Sequence, residues 1–121
     1  MYYSNAENTV VSKSFKFAVR TVNLYKYLVE EKREFILSKQ MLRSGTSIGA
    51  NIKEAIRGQS KADFIAKMNI SLKEASETEY WLELLTETEI LTKEQSGGIM
   101  LDCVELIKLL TSIVKGCKNN M

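Results

Sequence analysis

Not one of the 121 residues is proline. Nothing along the chain therefore removes a backbone donor or drives a ring into a preceding turn. Apolar side chains return every three or four positions, and strand-like alternation is missing. Together these features dictate an all-α chain. Its length suits one domain. For 13.8 kDa, area scaling gives a folded surface near ~6,600 Å² against ~20,000 Å² unfolded. That burial, about two-thirds, suffices for a core without staples.

The punctuation divides the chain into four helices. Residues 1–11, MYYSNAENTVV, are polar and aperiodic and read as a flexible tail, leaving 12–121 as the bundle domain. Helix one is expected from Ser12 or Ser14 to about Glu31, with Phe15, Val19, Val22, Tyr25 and Val29 as its core line. After a turn at Lys32–Leu37, Ser38 is the expected N-cap of helix two. Met41, Ile48, Ile52 and Ala55 form the core line of that helix, and Gly58 is its expected left-handed stop. Ser60 with Asp63 makes a capping-box start for helix three, which runs to about Glu89. Thr92 with Gln95 repeats that spacing for helix four, expected to end at Gly116. Short connections make successive helices antiparallel, so the expected fold is an up-down-up-down antiparallel four-helix bundle.

The apolar surface exceeds what one bundle needs. On helix three, Phe64, Met68, Ala75 and Leu82 share one face, while Ala66, Ile70, Trp81 and Leu84 share a second, roughly 150° away at about 100° per residue. Phe17, Leu24 and Leu28 lie off the main stripe of helix one. Surplus apolar surface on a small protein marks a partner surface. The expectation is a homo-oligomer with the Trp81 face of helix three in its interface.

Helix two carries two polar features. Ser44, Ser47 and Asn51 flank its core line on one side, Gly45 and Gly49 on the other. Small residues permit close helix approach, and the hydroxyls and amide suit a buried hydrogen-bond network with Glu74 and Thr78 of helix three. Opposite the core, Lys39, Arg43, Lys53 and Arg57 form a basic stripe without an acid on the line; Lys13, Lys16 and Arg20 form a shorter one on helix one. A solvated face explains such cations. That is the commoner explanation; a footprint on a phosphate backbone is the functional alternative. No aromatic residue interrupts the stripe, so base stacking is not indicated. A net charge of +2 is too small to argue for nucleic acid alone.

The chain lacks equipment for catalysis. It has no histidine, which removes the commonest general base and metal ligand. No Gly-rich phosphate loop and no Glu-x-x-His pair is present. Cys103 has no histidine to activate it and reads as a small core residue. No cofactor, metal or small-molecule substrate is expected. No secretory signal or membrane-length apolar run appears, and two cysteines make no framework, so the expected location is the cytoplasm.

The run Ser47-Ile48-Gly49-Ala50-Asn51-Ile52-Lys53-Glu54-Ala55, followed by Asp63-Phe64, Ser71-Leu72-Lys73-Glu74 and Trp81-Leu82, resembles the 23S rRNA intervening-sequence proteins. The resemblance spans nearly the whole chain; Ala55 stands where many relatives have glycine. It implies a left-handed up-down bundle and a homopentameric ring, a fold shared with accessory proteins of diversity-generating retroelements. Those accessory proteins, similar in fold, handle nucleic acid through basic surfaces, whereas the intervening-sequence family has no established molecular activity; the family motif makes Ser47, Asn51, Glu54, Asp63, Phe64, Glu74 and Trp81 structural or assembly residues. The resulting expectation is a non-enzymatic homo-oligomer binding structured RNA, such as rRNA, through Lys39, Arg43, Lys53 and Arg57, supported by Lys13, Lys16 and Arg20. The alternative is a protein-interaction scaffold with no nucleic-acid role.

Overall fold

The computed structural model describes residues 5–119. It contains four helices: α1 (Asn5–Glu30), α2 (Leu37–Ile56), α3 (Lys61–Glu87) and α4 (Lys93–Asn119). Each helix packs on its chain neighbours, and α4 returns to α1, so the four stand in cyclic order with the diagonals apart. The α2–α3 seam is the most extensive and the α1–α4 seam the thinnest. Paired residues run in opposite directions across three seams, including α1–α2, where Gly45 faces Thr21 and Gly49 faces Ser14. Ser44 meets Thr78 while Ile48 meets Ser71; Lys13 meets Glu105 while Arg20 meets Asp102. The bundle is antiparallel throughout.

Local chemistry sets the helix ends. At α3, the Asp63 amide donates to Ser60 Oγ at 3.0 Å, and Asp63 sits in the first turn, where the helix dipole favours an anion. At α4 the capping box is reciprocal: Gln95 N donates to Thr92 Oγ1 at 3.1 Å and Thr92 N to Gln95 Oε1 at 2.9 Å. The start of α2 differs from expectation. Ser38 is buried inside the helix and donates to its neighbour Glu34 O at 2.6 Å. The cap is Glu34, whose carboxylate accepts from the amides of Ile36, Leu37 and Ser38 at 3.2, 3.1 and 2.6 Å. A longer acid reaching forward from the loop satisfies three orphan donors, where a serine hydroxyl satisfies one.

Two expected glycine stops are also corrected. None of the described glycines has positive φ; Gly58 instead donates to Ala55 O at 3.1 Å behind the Arg57 cap. A Cβ at Gly58 would stand 3.1 Å from Ala55 O and would require the Asp63 carboxylate to shift. α4 passes through Gly116 to Asn119. The left-handed residue after α3 is Glu89, φ 64°. The Glu89 and Ile90 amides then close the helix onto Thr86 O and Leu85 O, both at 3.0 Å.

Helix one departs most from the sequence reading. It starts at Asn5, so residues 5–11 of the expected tail are helical and Val10 is fully buried; residues 1–4 lie outside the described residues. Its inward line is Val10, Ser14, Phe17, Thr21 and Leu28. Of the expected core line, Phe15 and Val19 are exposed, and Val22, Tyr25 and Val29 are only half-buried. The cause is steric. A Cβ at Gly45 would stand 2.7 Å from Thr21 Cγ2, and one at Gly49 3.3 Å from Ser14 Oγ. The two glycines make a slot along α2 that admits small hydroxyl side chains. The Thr21 and Ser14 hydroxyls are satisfied locally, donating to Phe17 O at 2.9 Å and Val11 O at 3.1 Å. Close approach therefore outweighs the longer apolar stripe on the other side of α1.

The remaining core lines hold. Met41, Ile48, Ile52 and Ala55 of α2 are buried, as are Met68, Ala75 and Leu82 of α3. Cys103 is buried beside them, with Sγ 3.3 Å from Ala75 O. Desolvation, with Glu79 adding to it, pushes that thiol up to about 12, so it is protonated and unreactive at neutral pH.

Candidate nucleic-acid interface

The outward side of α2 presents the four expected cations, all exposed. At 1.5 Å per residue, Lys39 and Arg57 are about 27 Å apart along the helix axis. Lys53 and Arg57 lie one turn apart at the α2–α3 end. With Glu54, Asp63 and Lys67 they line an open groove of about 810 Å³ below the start of α3. Lys67 Nζ is paired with Glu54 Oε1 at 3.2 Å.

The stripe is interrupted at Arg43. Its guanidinium bridges to α3, donating to Glu74 Oε2 at 3.2 Å and to Glu77 Oε1. The hydrogen bond to Glu77 raises the Arg43 pKa further, and the same contact holds the Glu77 carboxyl below the usual range. Trp81 Nε1 donates to the same Glu77 oxygen at 3.2 Å, and the Trp81 ring packs edge-on against Tyr80 with centroids 5.1 Å apart. Arg43 thus belongs to an inter-helix cluster. The second basic line is similarly engaged: Lys13 pairs with Glu105 at 3.1 Å and Arg20 with Asp102 at 2.7 Å. Lys39, Lys53, Arg57 and Lys16 make no ion pair with the described residues. Four of seven expected cations are therefore available to an external anion.

The polar line on the other side of α2 is also divided. The Ser44 and Thr78 hydroxyls lie 2.8 Å apart in the α2–α3 seam, and Ser71 Oγ donates to Ile48 O at 2.8 Å. Ser47 and Asn51 do not cross the seam. Ser47 Oγ donates to Arg43 O at 2.6 Å and Asn51 Nδ2 to Ser47 O at 2.9 Å, both on their own helix. Glu74 is committed to Arg43, and Phe64 is half-buried against the core. No buried side-chain polar atom among the described residues lacks a partner.

Sequence reasoning missed Glu77, Asp102 and Glu105, the acids that neutralise the stripes. The signal was available for Glu77. With Ser44 opposite Thr78, an antiparallel register puts Arg43 against residues 74–78 of α3. The described residues contain no cluster of three metal-ligating side chains, and no described helix is long and apolar enough to cross a membrane.

A family model described as 23S rRNA-intervening sequence protein matches residues 6–112. Among solved structures, the chain is similar to a protein with unknown function from the S23 ribosomal protein family of Bacteroides thetaiotaomicron VPI-5482. The TM-score is 0.89 at 64% identity, over 91% of this chain and 98% of that one. Comparison with curated proteins gives no match.

Proposed function

The chain belongs to the 23S rRNA-intervening sequence protein family, and from that premise we propose that it is a non-enzymatic, cytoplasmic, self-associating bundle that binds structured RNA by its phosphates. The carrying observation is that Lys39, Lys53 and Arg57 remain exposed and unpaired on one helix face, with Lys16 on the adjacent helix. The family description and the neighbour's family name both refer to ribosomal components, which favours RNA over DNA. Binding of this kind is driven by counterion release and carries little sequence preference. A ring, homopentameric by the family resemblance, would repeat the cations around its axis and multiply a weak contact set.

A specific observation favours a second reading, a protein-interaction scaffold. Arg43, Lys13 and Arg20 are spent on internal ion pairs, while Tyr80 and Leu101 expose apolar surface. Titration of the purified protein with a structured RNA and a DNA duplex over a range of salt separates the two. Three phosphate contacts per protomer give a log–log salt slope of about −3, steeper if several protomers engage. Lys53→Glu/Arg57→Glu is expected to abolish binding. Absence of binding at low salt would overturn the RNA reading and leave the scaffold.

A further inference from the structure

The stripe displaced from the core of α1 remains to be explained. Val11, Phe15 and Val19 follow one another at intervals of four on the outer face of α1 and are 37%, 70% and 48% exposed. They cover about 12 Å of helix. Lys16, exposed, lies within the span of the stripe, and Lys26, also exposed, lies about two turns beyond Val19.

On the far side of the bundle, α3 and α4 leave an open groove of about 740 Å³. Its lining is chiefly apolar, with Tyr80 and Leu84 from α3 and Met100 and Leu101 from α4. Tyr80 and Leu101 are 57% and 72% exposed. Glu83 and Glu87 stand on its α3 side and Lys93 at its end. The span from Tyr80 to Glu87 is about 10 Å of helix, close to the length of the α1 stripe.

We infer that the outer stripe of α1 on one copy seats in the α3–α4 groove of the next copy, joining the subunits head to tail. Three features select a second copy as the occupant. The two surfaces match in length and apolar character. Their charges are complementary, with Lys16 within the span of the stripe and two glutamates beside the groove. The stripe is exposed on the outer face of α1, and α1 makes no contact with α3, so within one molecule the stripe does not reach the α3 wall of the groove. Two different patches make a heterologous contact, which closes into a ring or continues as a chain, rather than a two-fold dimer. Lys39, Lys53 and Arg57 belong to neither surface and stay accessible, whereas Lys16 is taken into the contact. The inference rests on the self-association proposed above and adds which surfaces meet.

The test is native mass measurement on the full chain and on Phe15→Glu and Leu101→Glu. Both positions are exposed, so each variant is expected to keep the helical circular-dichroism spectrum of the wild type, with its melt lowered only by the loss of assembly. The wild type is expected as an oligomer and each variant alone as a 13.8 kDa monomer. Mixing the variants should restore a 1:1 heterodimer, because Phe15→Glu keeps an intact groove and Leu101→Glu an intact stripe. If one variant alone still dimerises, the contact is isologous and the head-to-tail inference is wrong. It is equally wrong if both variants keep the wild-type mass, or if the mixture stays monomeric at every concentration at which the wild type assembles. A monomeric wild type would instead refute self-association itself.

Discussion

Helix α1 meets the bundle through two unlike seams. Against α2 it approaches closely, with Thr21 and Ser14 pressed on Gly45 and Gly49, and no ion pair is needed. Against α4 the contact is the thinnest in the bundle, and polar pairs cross it at its rim: Lys13 with Glu105, Arg20 with Asp102, and Tyr27 Oη accepting from Gln95 Nε2 at 2.8 Å. The first seam is specified by shape and tolerates no added volume. The second is specified by exposed charge, which is screened and individually weak. The face of α1 that turns inward is therefore decided at α2, and its pairs with α4 follow.

The largest effect is expected where shape rules. Gly45→Leu places a side chain where even a Cβ is 2.7 Å from Thr21 Cγ2 and 2.9 Å from Thr21 Oγ1. Thr21 has little freedom to yield, since it is β-branched and its hydroxyl is held by Phe17 O. Overpacking of this kind costs about 1–3 kcal/mol and exceeds the roughly 1 kcal/mol gained by removing a helical glycine. Urea unfolding should show the loss, and Thr21→Ala in the same chain should return part of it. Equal stability of Gly45→Leu and wild type would mean that α1 is not seated by the glycine slot.

The connection between these two helices offers an intermediate effect with a pH signature. Partial burial of Glu34 opposes its ionisation, but the amides of Ser38, Leu37 and Ile36 outweigh that and hold its carboxyl below its ordinary value of 4.5. A depressed folded-state pKa means that the stabilisation is complete above about pH 4.5 and is lost as pH falls through the lower folded value. Glu34→Gln should cost about 1–2 kcal/mol at pH 7, in the range of lost helix caps. It should cost less at a pH below the depressed folded value, where the wild type has lost the same charge. Thermal melts at both pH values test this; a pH-independent difference would show that the charge at Glu34 does not matter.

These two sites also mark how far the sequence could be read. The lines of α2 and α3 were legible because each buried line is uninterrupted: Met41, Ile48, Ile52 and Ala55 face one way, and Met68, Ala75 and Leu82 meet them. α1 carries apolar residues on both sides, so periodicity offered two answers and the longer stripe was the wrong one. The deciding information lay in pairs distant in sequence, Gly45 with Thr21 and Gly49 with Ser14, which only an α1–α2 register reveals. The capping boxes at Ser60 and Thr92 were local and readable. Glu34 was not, because an acid that caps from a loop has no fixed spacing to the helix it serves. The basic stripe illustrates the same limit. Its cations share a helix face in sequence, yet Arg43, Lys13 and Arg20 are neutralised by acids 31 or more residues away.

The smallest effect is expected at the second seam. Arg20 and Asp102 are 2.7 Å apart, but each side chain is about half exposed, at 49% and 47%. Water and salt screen such a pair, and fixing the arginine costs rotamer entropy, so exposed pairs contribute about 0–1 kcal/mol. A double-mutant cycle with Arg20→Ala and Asp102→Ala should give a coupling in that range, shrinking at high salt as screening shortens the reach of the charges. Arg20 has a second neighbour, since its guanidinium lies over Gly98, where a Cβ would require the guanidinium to shift. If Arg20→Ala destabilises the bundle well beyond the coupling to Asp102 and independently of salt, packing over Gly98 accounts for the excess. The α1–α4 seam would then be specified by shape as well, and the contrast with α1–α2 would be one of degree.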